Sequence, residues 1–179
     1  MDYDLIIIGG GVTGNAVARY SSKFRMKAMV IERHSDVCEE TSKANSGIVH
    51  AGHDPIPGTL KAKLNKKGNE MLRRMKDTLG YDLVENGAFV LCFDENDHIK
   101  IEELYCRAFE NGIDSCRIMY RDEILKMEPN VNPEVWSALW CPTSAIVCPF
   151  SLTIALAENA AMNGVEYHLS ESDENVEKT

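Results

Sequence analysis

The sequence of 179 residues has no C-x-x-C pair among its six cysteines, Cys38, Cys92, Cys106, Cys116, Cys141 and Cys148. Without that spacing neither a thioredoxin-type redox motif nor a zinc site is supported. No metal is expected, and the cysteines read as structural thiols, most of them small buried hydrophobes. Long apolar runs are missing too: none approaches the ~20 residues that span a bilayer. The first apolar run follows acids and has no basic region or cleavage site, so it reads as a core strand rather than a signal peptide. Positive charge is scarce. A net charge of -9 and a pI near 5.0 argue against a nucleic-acid surface. Part of the acid is local, in a solvated tail at residues 171–179. There is no internal repeat and no low-complexity linker. What is present, 44% hydrophobic and 26% charged residues, describes a soluble globular chain of one domain or slightly more, with a real core, expected in the cytoplasm.

The chain is organised around its first residues, D-Y-D-L-I-I-I-G-G-G-V-T-G from Asp2 to Gly14. A buried-strand run meets Gly9, Gly11 and Gly14 at G-x-G-x-x-G spacing. Gly9 permits a tight turn, Gly11 lets backbone approach a pyrophosphate, and Gly14 lets the following helix pack close to the sheet. That helix offers free N–H groups and a positive dipole end to an anion. A second strand over residues 27–31 ends in Glu32, about 20 residues beyond the glycines, as a dinucleotide fingerprint requires. A carboxylate there accepts ribose hydroxyls and repels a 2′-phosphate, which favours NAD or FAD over NADP. Alone, Glu32 also reads as a surface acid after an ordinary βαβ turn.

Periodicity predicts a helix over residues 15–24 with Val17, Tyr20 and Phe24 on one face. A long aperiodic loop follows over residues 33–58, then a helix over residues 59–79. Its apolar stripe, Leu60, Leu64, Gly68, Met71, Leu72, Met75 and Leu79, is read as core. A hairpin turning on Asn86-Gly87 is expected next. After it come a helix capped by Asp94, with Ile101, Leu104, Tyr105, Ala108 and Phe109 buried, and a strand over residues 117–120. A short helix over residues 122–127, strands at 135–140 and 145–148, a helix from Pro149 to about Asn163, and a strand over 165–169 complete the chain. The expected fold class is α/β. An incomplete doubly wound parallel sheet of FAD-binding, Rossmann-like type carries its 3-2-1 half, joined by the start of a mostly antiparallel α+β substrate domain. The expected divisions are a nucleotide unit and cofactor loop at residues 1–80, part of a substrate domain at 81–148, a return to the first sheet at 149–170, and the acidic tail.

A second block, T-S-K-A-N-S-G-I-V-H-A-G-H from Thr41 to His53, offers small polar donors, glycines and two histidines that titrate near neutrality. Taken alone it also reads as a capped polar loop. Together with the glycine motif and the acid at the second strand end, it resembles the FAD-dependent oxidoreductases of the D-amino-acid oxidase superfamily. Within it, the resemblance is to the branch of bacterial glycerol-3-phosphate dehydrogenase and L-2-hydroxyglutarate oxidase. The segments P-I-P-G-T-L-K-A-K-L-N-K-K-G-N from Pro55, L-K-M-E-P-N from Leu125 and A-I-V-C-P-F-S-L-T-I-A-L-A-E-N from Ala145 carry the resemblance to about Leu169.

The resemblance implies that Gly9, Gly11 and Gly14 carry the FAD pyrophosphate and that Glu32 holds the adenosine ribose. It implies that Thr41, Ser42, Asn45, Ser46 and Gly47 pass along the cofactor toward the flavin. His50 or His53 would approach the isoalloxazine, where either could take a hydroxyl proton as a hydride leaves; each also reads as a hydrogen-bonded loop residue. The implied partners are a small-molecule substrate and an electron acceptor, such as an iron–sulfur protein through which the chain associates with a membrane. Full-length members are much longer, so the chain is expected to be part of such a protein and to be inactive alone. Two alternatives stay open: an amine or amino-acid oxidase of the same fold, and a non-catalytic dinucleotide-binding module.

Overall fold

The structure, a computed structural model, describes residues 2–172. The acidic tail lies outside the described residues from residue 173 onward. The chain divides into two compact units. One comprises the residues up to Gly47, Lys76–Asp82 and those from Val147 on; the other comprises Ile48–Met75 and Leu83–Ile146.

In the first unit β1 (Leu5–Ile8), α1 (Val12–Ser21) and β2 (Ala28–Glu32) form the βαβ start, and α5 (Pro149–Met162) delivers β9 (Glu166–Leu169) beside β2. The sheet order is β1-β2-β9, all parallel, with Leu5 opposite Ala28 and Met29 opposite Glu166. This is the expected 3-2-1 half. Pro149 opens α5 at its first turn, where its missing N–H costs nothing, and Gly164 ends it at φ +91°. The core lies between the sheet and the two helices: Ile7, Ala28, Val30 and Val165 pack against Ala18 of α1 and Ala160 of α5.

The buried face of α1 differs from the expected one. Its helix begins directly after Gly11, and Asn15, Ala18 and Ser21 are its buried residues, whereas Val17, Tyr20 and Phe24 are exposed. α1 packs against α5, and close approach of two helices selects small side chains over large ones. Residues Ile6 and Ile8, on the sheet face away from the helices, are likewise exposed among the described residues.

The second unit holds α2 (Leu60–Leu79) up to Met75 and two antiparallel sheets. β3 (Ile48–Val49), β8 (Ala145–Val147) and β4 (Leu83–Val84) form one, in the order β3-β8-β4. β5 (Ala88–Cys92), β7 (Ser137–Cys141) and β6 (Arg117–Tyr120) form the other, in the order β5-β7-β6. α3 (His98–Glu110) lies on the second sheet, its Ile101 and Ala108 buried beside Leu139, while Tyr105 and Phe109 are exposed. α4 (Arg121–Met127) follows β6, and Ile124 packs with Met119, Val135 and Ala138.

Two expectations fail here. The Asn86-Gly87 hairpin does not form, because β4 and β5 belong to different sheets. Gly87, at φ +69°, donates its N–H to Ser144, and a Cβ there would stand 2.1 Å from the Trp140 ring, so the dipeptide bends the chain beneath an indole. On α2, Leu60, Leu64 and Met71 are exposed, and the buried residues are Ala62 and Asn69. The Asn69 amide takes the inward position because it donates to the carbonyls of His50 (3.1 Å) and Thr143 (2.8 Å), the second shared with Arg73.

Candidate cofactor site

The chain leaves β1 through Gly9, whose φ of +101° few side chains tolerate and whose N–H bonds Ile31 at 2.8 Å. Gly11 then caps α1 in extended conformation. A Cβ on Gly14 would fall 2.0 Å from the Gly9 carbonyl oxygen, so only glycine lets the first helical turn fold back against the strand end. A Cβ on Gly11 would meet the Ser42 hydroxyl at 3.0 Å.

Glu32, at the end of β2, is buried and faces this turn. Oε2 accepts the Gly10 N–H at 2.6 Å and Oε1 accepts the His34 N–H at 2.9 Å. The carboxylate fixes the middle glycine and keeps lone pairs for a ligand, since each oxygen has two. Ser42 reaches the same place from residues 33–47: its Oγ accepts the Val12 N–H at 2.8 Å, at the first turn of α1. Gly9, Gly11, Glu32, Thr41 and Ser42 line one cavity of about 480 Å³, with Ile8 and Ile31 as its apolar wall. Arg33, Glu39 and Glu40 stand at the rim. Glu40 pairs with Arg33 and His34, and the His34 and Arg33 bonds hold its carboxyl below the usual range.

The other predicted cofactor residues do not line that cavity. Asn45 spends its amide on its own loop, donating to Ser42 O at 2.7 Å and accepting from Gly47 N at 2.9 Å. Gly47 sits at φ +65°, accepts the Val147 N–H at its carbonyl and leaves no room for a Cβ, which would lie 2.2 Å from the Val147 oxygen. Ser46 is exposed. His50 and His53 belong to the second unit. His50 is exposed, its carbonyl held by Asn69. His53 is buried, with Nδ1 3.3 Å from Cys141 Sγ. Burial first, and the charge of His50 second, push its pKa down, against an opposite pull from Asp54.

Two residues with no sequence signal of their own complete the loop. Asn15, fully buried in α1, donates to Gly10 O at 2.7 Å and accepts the Tyr167 hydroxyl of β9 at 2.8 Å. Burial pushes the Tyr167 phenol up to about 12, so it stays a donor. The only hint was a polar Asn inside a predicted packing helix.

Turn, acid and cavity together have the form of a dinucleotide site, and comparison with known proteins is specific. Residues 4–178 match the DAO family, described as FAD dependent oxidoreductase. The chain belongs to this family. It is 41% identical over 176 residues to a glycerol 3-phosphate dehydrogenase of Caloramator mitchellensis, covering 98% of this chain and 37% of the relative. Superposed on the dithionite-reduced L-α-glycerophosphate oxidase of Mycoplasma pneumoniae with FAD bound, it gives a TM-score of 0.90 at 33% identity, over 95% of this chain and 45% of that one. A mitochondrial L-2-hydroxyglutarate dehydrogenase of Caenorhabditis elegans is 31% identical over 81% of this chain and 34% of its own length. The chain thus spans under half the length of these relatives. The family cofactor is FAD, and the residues here fit it: the cradle at Gly11 and Gly14 is one that a Cβ would fill, beside a carboxylate with unused lone pairs. Among the described residues no cluster of His, Cys, Asp and Glu could hold a metal, and no helix is long and apolar enough to cross a membrane.

Proposed function

We propose that the first unit holds the ADP portion of FAD and that the intact protein oxidises glycerol-3-phosphate. The observation that carries this reading is the convergence of Gly9, Gly11, Glu32, Thr41 and Ser42 on one cavity, in a chain 41% identical to a glycerol 3-phosphate dehydrogenase. The free N–H groups at the start of α1 receive the pyrophosphate. Ser42, a hydroxyl that donates and accepts at once, bonds a phosphate oxygen while it holds Val12. Glu32 accepts the ribose hydroxyls. Asn45 and Gly47 act by shaping the segment that leads to the exposed Ser46. When bound, FAD supplies the hydride acceptor. His50 is the open imidazole of the second unit and is assigned the substrate's hydroxyl proton; His53, enclosed against Cys141, is assigned no substrate contact.

Turnover is assigned to the intact protein and nucleotide binding alone to these 179 residues, in keeping with the share of the relatives they span. A cytoplasmic location and a separate electron acceptor complete the reading. The C. elegans relative supports L-2-hydroxyglutarate as a second candidate substrate. Dye-linked oxidation of glycerol-3-phosphate, L-2-hydroxyglutarate and glycine by the intact protein tests all of this. The expected result is oxidation of the phosphate ester, with kcat lowered about 10²- to 10⁴-fold in His50→Asn at unchanged flavin content. Oxidation of glycine alone would overturn the substrate, and failure to take up flavin would overturn the site.

A further inference from the structure

The second unit holds a buried cluster that plays no part in the proposed reaction. β6 pairs with β7 so that Arg117 faces Trp140 and Ile118 faces Leu139. Carried one residue back along the ladder, the same register sets Cys116 opposite Cys141. Directly opposed residues of an antiparallel pair have Cα atoms about 4.5–5.5 Å apart, inside the ~4.4–6.8 Å that a disulfide spans. The Cys141 thiol donates toward the Cys116 sulfur, and both are buried in the core that contains Ala51, Ile113 and Leu139. His53 Nδ1 stands 3.3 Å from Cys141 Sγ. The other cysteines are arranged differently. Cys92 donates to Asp94 O at 3.0 Å, Cys38 to Pro149 O at 3.8 Å, and Cys106 and Cys148 are exposed.

We propose that Cys116 and Cys141 are a redox couple that a small peroxide closes to a cross-strand disulfide, with His53 carrying the proton. Cys116 is the attacking sulfur. It directly precedes β6, its own side chain buried but its chain neighbours Ser115 and Arg117 exposed, and the hydrogen bond from Cys141 favours its thiolate. Its sulfur bonds one peroxide oxygen as the O–O bond breaks; the departing hydroxide takes the Cys116 thiol proton and leaves as water, and Cys116 becomes a sulfenic acid. Cys141, kept protonated by its bond to Cys116 and by burial, then gives its proton to His53 Nδ1 and attacks the Cys116 sulfur. The S–S bond forms, the S–O bond breaks, and the second hydroxide takes the proton back from His53 as water. Two thiols are oxidised, one peroxide is reduced to two waters, and His53 is unchanged. His53 Nδ1, 3.3 Å from Cys141 Sγ, holds that proton only until the departing hydroxide takes it. The product ties β6 to β7 around the loop that carries α4. This inference does not depend on the proposed oxidation of glycerol-3-phosphate.

The test uses the chain with its exposed thiols removed by Cys106→Ser and Cys148→Ser. It is treated with hydrogen peroxide, denatured in iodoacetamide and mapped by peptide mass. The expected result is a Cys116–Cys141 linked peptide, alkylation only at Cys38 and Cys92, and full reversal by dithiothreitol. In His53→Phe, closure should slow by about tenfold or more, with a Cys116 sulfenic acid trapped by dimedone. Cys141→Ser should stop at that sulfenic acid. Alkylation of both Cys116 and Cys141 after peroxide, or a disulfide through Cys38 or Cys92, would overturn the proposal; the mapping of the otherwise unaltered chain decides it whether or not the variants fold.

Discussion

The glycine turn of the first unit and the histidine segment of the second are both candidate site regions, and they are built by opposite means. In the turn, geometry is set where side chains are missing: a Cβ on Gly14 would stand 2.0 Å from the Gly9 carbonyl oxygen, and Gly10 presents its N–H to a buried carboxylate. In the segment around His50 and His53, geometry is set by side chains from far along the chain, the Asn69 amide on one carbonyl and the Cys141 thiol on one imidazole. The difference teaches what each region tolerates. A turn defined by clearance fails when an atom is added. A segment defined by side-chain bonds fails when a particular atom is removed.

The largest effect should follow from adding atoms to the turn. Gly14→Val places its Cβ against backbone that cannot yield, so a loss of about 3 kcal/mol, the upper part of the usual overpacking range, is expected together with loss of nucleotide binding. Gly68→Ala, in α2 with nothing near its Cβ position, should instead stabilise by about 0.5–1 kcal/mol through helix propensity. Urea midpoints of the two variants give the contrast directly; similar values would dissolve it.

Next in size is the acid that bridges turn and ligand. Glu32→Gln replaces a charge-assisted acceptor, worth about 1.5–3 kcal/mol, at a group that already holds Gly10 and His34. FAD affinity, followed by fluorescence quenching, should fall by about one to two powers of ten. Equal dissociation constants would mean that Glu32 serves the fold alone.

Smaller still is the effect of the Tyr167 hydroxyl, which reaches the turn through Asn15. Tyr167→Phe should cost about 1 kcal/mol near neutral pH. Its pKa of about 12 exceeds that of an unfolded tyrosine, so the folded protein holds a proton that the unfolded chain releases. This stability is fully present below about pH 10 and is lost as pH rises through about 12. The Phe variant should lose less over that window, which alkaline unfolding curves would show; Tyr81, also raised to about 12 by burial, keeps its own contribution in both proteins.

This ordering follows how far each feature can be read from sequence. Gly9, Gly11, Gly14 and Glu32 are legible because their spacing encodes a turn, and the order β1-β2-β9 follows from the helix that delivers each later strand, α1 before β2 and α5 before β9. The inward faces of α1 and α2 are not, since periodicity ranks large apolar residues as buried. Here the neighbour of α1 demanded Ala18 and Asn15, and two loop carbonyls demanded Asn69. Asn15 and Tyr167 are 152 residues apart, and no local pattern joins them. Asn86-Gly87 announced a hairpin because the dipeptide specifies a bend and says nothing of which strand pairs on either side.

The smallest expected effect separates the two histidines. Surface substitutions usually change stability by less than about 0.5 kcal/mol, so His50→Asn should keep the urea midpoint at pH 7.5 within that range. His53 differs because burial, with His50 nearby, depresses its pKa more than Asp54 raises it. The unfolded chain therefore binds a proton near pH 6.5 that the folded chain refuses. Stability tied to His53 is fully present above that pH and is lost as pH falls toward the folded pKa. In His53→Leu the acid-side slope should flatten relative to both the parent chain and His50→Asn, when urea midpoints are compared between about pH 7.5 and 5.5. Leu also leaves the Cys141 thiol without its imidazole, so the absolute midpoint should drop somewhat at the higher pH while its dependence on pH shrinks. An unchanged slope in His53→Leu, or an equal change in His50→Asn, would mean that the two imidazoles share one environment, and the contrast between an open and an enclosed histidine would fall.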